Sequence, residues 1–374
     1  MASETVYFQK LNRLPLWKRT AQNRTPLQMD LEITARCNNH CVHCYINQPE
    51  NDAGLIKSEL SFEKIKDIAD QAADLGVLWC LLTGGEPLLR KDFLDIYQYL
   101  KKKGFLVSVF TNATLVTPEH VRLFQSFPPR NLEVTVYGIT RETYEKVTRT
   151  PGSFDLFTKG LDQLKSGGTR IGLKAVAMRA NFHELSDIFA FCRSNTDTDF
   201  RFDPFLQLRF DGDPQRNREI KSQRLSGTEI VALEKADLKR LNALIRFCEK
   251  NIRPDLPVEG LPLIMGCGAG RSGFSVGNDG CFRLCASLHH PATIFNLNKM
   301  SLADIWRRHV PEILDMDSEN PLFHEKCAAC SLVNLCMWCP ATAFLETGCM
   351  DMPVEAFCEM ARLRLGATHP DETL

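Results

Sequence analysis

The stretch ARCNNHCVHCY places Cys37, Cys41 and Cys44 directly after the apolar run MDLEIT, with three and then two residues between them. An odd number of cysteines cannot close into disulfides among themselves. A tetrahedral zinc site would need a fourth ligand close by, and His40 and His43 are the candidates. Three thiolates can instead hold three irons of a [4Fe–4S] cube and leave the fourth iron open for a small molecule to chelate. A second field holds nine more cysteines: Cys267, Cys281, Cys285, Cys327, Cys330, Cys336, Cys339, Cys349 and Cys358. The four from Cys327 to Cys339 could form a zinc ribbon, but clustering of this kind in a reducing compartment points to metal or iron–sulfur ligation. Cys80, Cys192 and Cys248 lie in apolar or helical patterns and read as small buried hydrophobes.

The compartment follows from the rest of the chain. The opening MASETVYFQKLNRLPLWKRT is polar and mixed, without the apolar core of a signal peptide. No apolar run approaches the roughly 20 residues of a membrane span. A cytoplasmic location is expected, where structural disulfides are rare. The net charge of -1 argues against nucleic acid or an anionic membrane as partner, and no basic stripe is present. At 374 residues and 44% apolar, the chain is long enough for one large domain and a smaller one.

The elements that must position these cysteines alternate. Strands are expected at 28–35, 77–83, 105–111, 131–138, 171–178 and 199–210, and helices at 61–76, 91–103, 153–166 and 183–195. The helix at 61–76 starts on a serine cap, and the one at 153–166 stops at Gly167–Gly168. Alternation of this kind builds a parallel sheet or barrel from βα units. Eight-fold closure is not reached, so the fold class is α/β, a partial (β/α)6 barrel of the TIM type with a small Cys-rich C-terminal domain. The cysteine triplet, Gly84-Gly85-Glu86-Pro87, Thr111–Asn112 and Tyr137 all fall at C-terminal strand ends, where βα barrels gather their functional groups. The expected organisation is an N-terminal extension (1–27), the barrel (28–210), a loop, helix and linker (211–262, with the helix at 228–251) and a Cys-, Gly- and Pro-rich domain (263–374) that relies on staples rather than a core.

With these motifs in view, the chain resembles the radical SAM superfamily. Cys37-x3-Cys41-x2-Cys44, followed by Tyr45, matches that family's cysteine motif, and Gly84-Gly85-Glu86-Pro87 matches its GGEP motif. The resemblance covers roughly residues 28–210. It implies that the open iron binds S-adenosylmethionine (SAM), that one electron splits the sulfonium, and that a 5′-deoxyadenosyl radical removes hydrogen from a substrate. It also implies roles. Glycines 84 and 85 let backbone approach the ligand, Glu86 accepts from the methionine ammonium, and Pro87 fixes the turn. Asn112 and Tyr137 contact adenosine. Lys174, Arg179, Arg201 and Asp203 are candidates to grip the SAM carboxylate or the substrate, or else are salt bridges within the barrel. An iron–sulfur electron carrier is the non-enzyme alternative, and it would need no SAM cradle.

The second cysteine field resembles the SPASM extension of the same superfamily. Cys267, Gly280 and Cys285 match its first part, and Cys327, Cys330 and Cys336 the next. The gap before Cys339 is two residues where the pattern has three. The resemblance implies two auxiliary [4Fe–4S] clusters, three in all. Cys327, Cys330, Cys336 and Cys358 would hold one, and Cys267, Cys285 and Cys339 part of the other. Cys281 is the candidate for its eighth ligand position, with an open iron as the rival, and Cys349 is spare. SPASM relatives mostly modify peptides, so a thioether or carbon–carbon crosslink in a ribosomal peptide is expected. Haem-type tetrapyrrole decarboxylation and sulfatase-type Cys or Ser oxidation are the alternatives. Only 27 residues precede the barrel, so a winged-helix leader-binding domain is not expected there; a separate leader-binding protein could serve. The electron donor would be a flavodoxin or ferredoxin.

Overall fold

The computed structural model describes residues 20–368 except 21, 199, 237, 252–263, 266, 329, 334 and 337. The segment 1–19 of the N-terminal extension and the linker expected at 253–262 lie outside the described residues. β1 (Gln28–Thr34) shows how the sheet starts. Met29, Leu31 and Ile33 are wholly buried and alternate with the more polar Gln28, Asp30 and Glu32. Successive strand residues face opposite ways, so the apolar set turns to the helices and the polar set to the barrel interior. The buried set shares a core with Ile65, Ile68, Ala69 and Ala72 of the helix Phe62–Asp74. Ser61 caps that helix by accepting the Lys64 amide at 3.2 Å.

A short pair, β2 (Arg36–Cys37) and β3 (Gln48–Pro49), closes the base of the cysteine loop. The main sheet resumes with β4 (Trp79–Gly84), β5 (Leu106–Thr111), β6 (Asn131–Val136), β7 (Ile171–Val176) and β8 (Arg201–Asp203). These five follow β1 in order and in parallel, with helices between them: the half-barrel expected from the alternation.

Four expectations need correction. The strand read over 199–210 keeps its ladder only at Arg201–Asp203. Pro204 follows and has no N–H to donate, and the chain beyond it runs along the barrel mouth. The helix read over 228–251 is two helices, Gly227–Lys235 and Leu238–Asn251. Further helices escaped the periodicity, among them Pro118–Ser126, Arg141–Thr148 and, inside the segment expected as a loop, Pro214–Gln223, because each is two to three turns long with few apolar positions. Lastly, the C-terminal region does more than staple. β9 (Gly273–Val276) pairs in parallel with β1, from Gln28↔Gly273 to Leu31↔Val276. β10 (Cys281–Arg283) and β11 (Phe295–Asn296) extend it antiparallel. The result is a nine-stranded sheet, and Phe274, Val276, Phe282 and Trp306 join the barrel's own core. Among the described residues no helix is long and apolar enough to cross a membrane.

The ends of β1 and β4 touch backbone to backbone. A Cβ on Gly84, which holds φ +135°, would lie 2.0 Å from the Thr34 carbonyl oxygen, and one on Gly85 would lie 2.2 Å from that of Arg36. Neither neighbour is a side chain that can swing aside. Gly85→Ala should therefore cost more than about 3 kcal/mol in urea denaturation. Gly104→Ala, with nothing within 4 Å, should cost only its left-handed backbone strain, about 1–2 kcal/mol.

Candidate functional site

A cavity of about 850 Å³ opens at the C-terminal ends of the parallel strands. Cys37, Cys41 and Cys44 share one of its walls. Their loop leaves β1, enters β2 at Cys37 and returns through β3. His40 and Val42 donate backbone N–H to Thr148 and Val147, each at 2.9 Å, which holds the loop against the helix Arg141–Thr148. Two arginines hold it from the other side. Buried Arg209 reaches the Asn47 carbonyl at 3.2 Å, and Arg216 reaches the Cys41 carbonyl at 2.8 Å. Neither arginine stood out in the sequence, and only the fold brings them to the loop.

Each thiol of the triplet has a donor. The Asn39 amide N–H lies 3.4 Å from Cys37 Sγ, and Asn112 Nδ2 lies 3.8 Å from the same sulfur. The Asn47 amide lies 3.3 Å from Cys44 Sγ, and the Tyr137 side chain hydrogen-bonds the Cys41 thiol. Burial raises the thiols of Cys37 and Cys41 above their ordinary range, and neighbouring thiols add to it. Of the two histidines weighed as zinc ligands, His40 is exposed and His43 is half-buried against Tyr137, with ring centroids 5.2 Å apart. Burial, with Lys174 and Arg216 adding, lowers His43 to about 3, so it is neutral. Among the described residues no three His, Cys, Asp or Glu side chains converge on a point that one metal ion could fill.

The turn Gly84-Gly85-Glu86-Pro87 has structural duties of its own. Gly84 and Gly85 do line the cavity, but the contact that demands glycine is with the backbone of residues 34–36. Glu86 is fully buried and off the cavity wall. Its carboxylate accepts from Leu88 N at 3.0 Å, Thr111 Oγ1 at 2.8 Å and Asn112 N at 2.7 Å. It bolts the end of β4 to the end of β5. Pro87, also buried, starts the one-turn helix that follows.

Tyr45, Asn112, Tyr137 and Lys174 line the cavity. Tyr45 is 38% exposed and packs against Phe210, centroids 4.8 Å apart. Lys174 Nζ lies 3.4 Å from Glu133 and 3.7 Å from Asp203, and Arg201 joins the same group through Glu133 at 2.8 Å. This is a strand-end charge network. Arg179 is away from the cavity, paired with Glu229 on the surface.

The C-terminal cysteines fall into groups. Cys327, Cys330, Cys336 and Cys358 line a second cavity of about 220 Å³ beside Trp338. Cys285 accepts from the backbone of Ser287 and Leu288, and burial raises its thiol, with Cys267 and Cys339 adding. Cys339 also caps the helix Pro340–Thr347. Cys281 is not brought into that group: its thiol, raised to about 11 mainly by burial, feels Asp279 and Arg283. Cys349 is exposed.

Three thiols with donors on one cavity wall, and a wholly buried Asn39 carboxamide without a partner beside them, fit an iron–sulfur group. A half-barrel with such a triplet after its first strand and a glycine pair after its second defines a class of enzyme that uses SAM and a [4Fe–4S] cluster. Residues 31–192 match the Radical SAM superfamily, and residues 267–331 match SPASM, an iron–sulfur cluster-binding domain. The chain thus carries a radical SAM domain followed by a SPASM domain, the latter an iron–sulfur cluster-binding domain. It is 30% identical to an AdoMet-dependent heme synthase of Methanosarcina barkeri over 45% of this chain and 48% of that protein. It is 29% identical to the mycofactocin maturase MftC of Mycobacterium tuberculosis over 43% and 40%. The chain spans less than half the length of the first curated relatives it matches, between 38% and 48%. The structure is similar to SuiB of Streptococcus suis bound to S-adenosylmethionine, with a TM-score of 0.65, 15% identity, and coverage of 95% of this chain and 83% of that one. At that identity the likeness is one of fold.

Burial pushes the Glu86 carboxyl up from 4.5 to about 7. Between those values the folded chain holds a proton that the unfolded chain has lost, so this group's contribution to stability falls as pH rises through that window. In Glu86→Gln the stability difference between about pH 5 and about pH 7.5 should shrink relative to wild type. An unchanged difference in chemical denaturation would mean that Glu86 stays ionised throughout.

Proposed function

We propose that the chain cleaves SAM reductively and removes hydrogen from a peptide substrate, leading to an oxidative modification such as a thioether or carbon–carbon crosslink. Cys37, Cys41 and Cys44 would hold the cluster, and the open cavity beside them would take SAM and then the peptide. Bound there, the cluster and SAM supply one electron to the sulfonium and the radical that takes the hydrogen. The chain's own residues do the rest. Gly84, Gly85, Asn112 and Tyr137 shape the cofactor end. Phe202, Phe205, Phe357 and Met360 give the far end an apolar wall.

The observation that carries the peptide reading is the state of the charges on that wall. Lys174 faces Glu133 and Asp203, Arg224 is paired with Glu346, and buried Arg364 binds Glu234 at 2.7 Å. A tetrapyrrole with several propionates would draw these cations away from partners they already have, at the cost of leaving buried carboxylates unpaired. A peptide segment with a neutral backbone asks for no such exchange. The likeness to a heme synthase favours the tetrapyrrole as runner-up, and the experiment below tests both.

Cys327, Cys330, Cys336 and Cys358 would hold one auxiliary cluster, and Cys267, Cys285 and Cys339 part of another. Since Cys281 stands apart from that second set, we read its remaining position as open. A flavodoxin or ferredoxin would deliver the electron, and a separate leader-binding protein could present the peptide.

After anaerobic reconstitution the wild type should hold about twelve irons per chain, and the Cys37/Cys41/Cys44 triple alanine about eight. With dithionite, 5′-deoxyadenosine release should vanish in the triple variant. Iron-coproporphyrin should not stimulate release by the wild type; stimulation would overturn the peptide reading in favour of the runner-up. Cys336→Ser should lower iron by about four while leaving dithionite-driven SAM cleavage in place. Unchanged iron would remove the auxiliary cluster from that site.

A further inference from the structure

Four asparagines, Asn38, Asn39, Asn47 and Asn112, lie in or against the cysteine loop, and three are fully engaged. Asn38 Nδ2 donates to Thr114 Oγ1 at 2.8 Å, and its Oδ1 accepts from Asn112 Nδ2 at 3.0 Å. Asn112 Oδ1 accepts from the Thr114 amide at 2.9 Å and from its hydroxyl. Asn47 Nδ2 donates to the Asn39 carbonyl at 3.1 Å, and its Oδ1 accepts from Arg209 at 3.1 Å. Asn39 differs. Its backbone is used at both ends, but its carboxamide is 1% exposed, lines the cavity and has no partner at either Nδ2 or Oδ1.

A buried amide without partners is costly, so this one should meet something that fills the cavity. The chemistry of the wall narrows what that is. The thiols of Cys37, Cys41 and Cys44 already have donors from Asn39 N, Asn112, Tyr137 and Asn47. The Asn39 carboxamide belongs to the residue whose own N–H bonds Cys37 Sγ, and it lines the same cavity as the three thiols with a donor to spare. The acceptors an iron–sulfur group brings to such a place, besides its cysteine sulfurs, are its inorganic sulfides.

We propose that Asn39 Nδ2 donates a hydrogen bond to an inorganic sulfide of the cluster held by Cys37, Cys41 and Cys44, and thereby raises that cluster's reduction potential. This rests on the reading of the triplet as the SAM-cluster site. Reduction adds negative charge to the cluster, and a donor aimed at its sulfur stabilises the reduced form; hydrogen bonds to sulfur are among the determinants of iron–sulfur potentials. Asn39 is here a positioning and tuning group and takes no part in bond cleavage.

The test uses the full chain, reconstituted without oxygen, and three readouts: iron per chain, potentiometric EPR titration of the signal that responds to added SAM, and resonance Raman of the Fe–S modes in H₂O and D₂O. Asn39→Leu, close in size and without a donor, should keep its iron and titrate at a more negative potential. Asn39→Asp, which replaces the donor by an acceptor, should shift further in the same direction. In the wild type, D₂O should shift bridging Fe–S bands by more than it does in Asn39→Leu. Full iron with an unmoved potential and equal D₂O shifts would overturn the proposal and leave the triplet's role intact. Iron that is the same in the wild type and in the Cys37/Cys41/Cys44 triple alanine would overturn the reading of the triplet itself. If Asn39→Leu fails to load, Asn39→Asp and the size of the wild-type D₂O shift decide: no shift counts against the hydrogen bond.

Discussion

The molecule's chemistry hangs on a seam between two strand ends. The Gly85 amide donates to the Thr34 carbonyl at 2.8 Å, and the Glu86 amide donates to the Arg36 carbonyl at 2.9 Å. Those two bonds carry the ladder of β1 and β4 beyond the sheet and into the base of the cysteine loop. The carboxylate of Glu86 then reaches on to the end of β5. One residue thus registers three strand ends against each other, and the thiols, the glycine pair and Asn112 take their positions from it. Because it works through backbone at van der Waals limits, the seam tolerates no side chain at residue 85.

Around the seam the structure divides its polar groups by duty. Charges near the cavity are neutralised in pairs or small networks, as with Lys174, Glu133 and Asp203 or Arg224 and Glu346. Neutral amides and hydroxyls sit closest to the thiols. Arg209 approaches the loop through its carbonyls and carries its own counter-ion in Asp211. The environment of the triplet is therefore set by dipoles more than by net charge, which is where a single unpaired amide such as that of Asn39 has leverage.

The parts legible in the sequence are those whose chemistry is local. Thiol spacing showed the triplet, and six strands were found because alternation and turn residues mark each one separately. Gly167 and Gly168 ended the helix Ser153–Ser166 where expected. What escaped depends on partners remote in sequence. The structural duty of Glu86 was hidden because its three donors, at residues 88, 111 and 112, converge only in the fold. Arg209 sat in a segment read as strand, and nothing local distinguished it from the other arginines around it. The pairing of β9 with β1 joins residues more than two hundred positions apart, and four-residue strands leave little pattern to read. The C-terminal cysteines were visible, and the set Cys327, Cys330, Cys336 and Cys358 expected from the resemblance lines one cavity in the fold.

That last pairing bears on how the chain comes into being. β1 precedes the other described strands, and until residue 276 has been synthesised it has only β4 beside it among them. Its other edge, with free N–H and C=O groups, stays open while two-thirds of the protein is translated, and such edges invite pairing with other chains. Contacts of this separation also slow folding. The strand that leads into the cysteine loop is thus made long before the strand that seals its edge, so the nascent protein depends on a late segment to protect an early one.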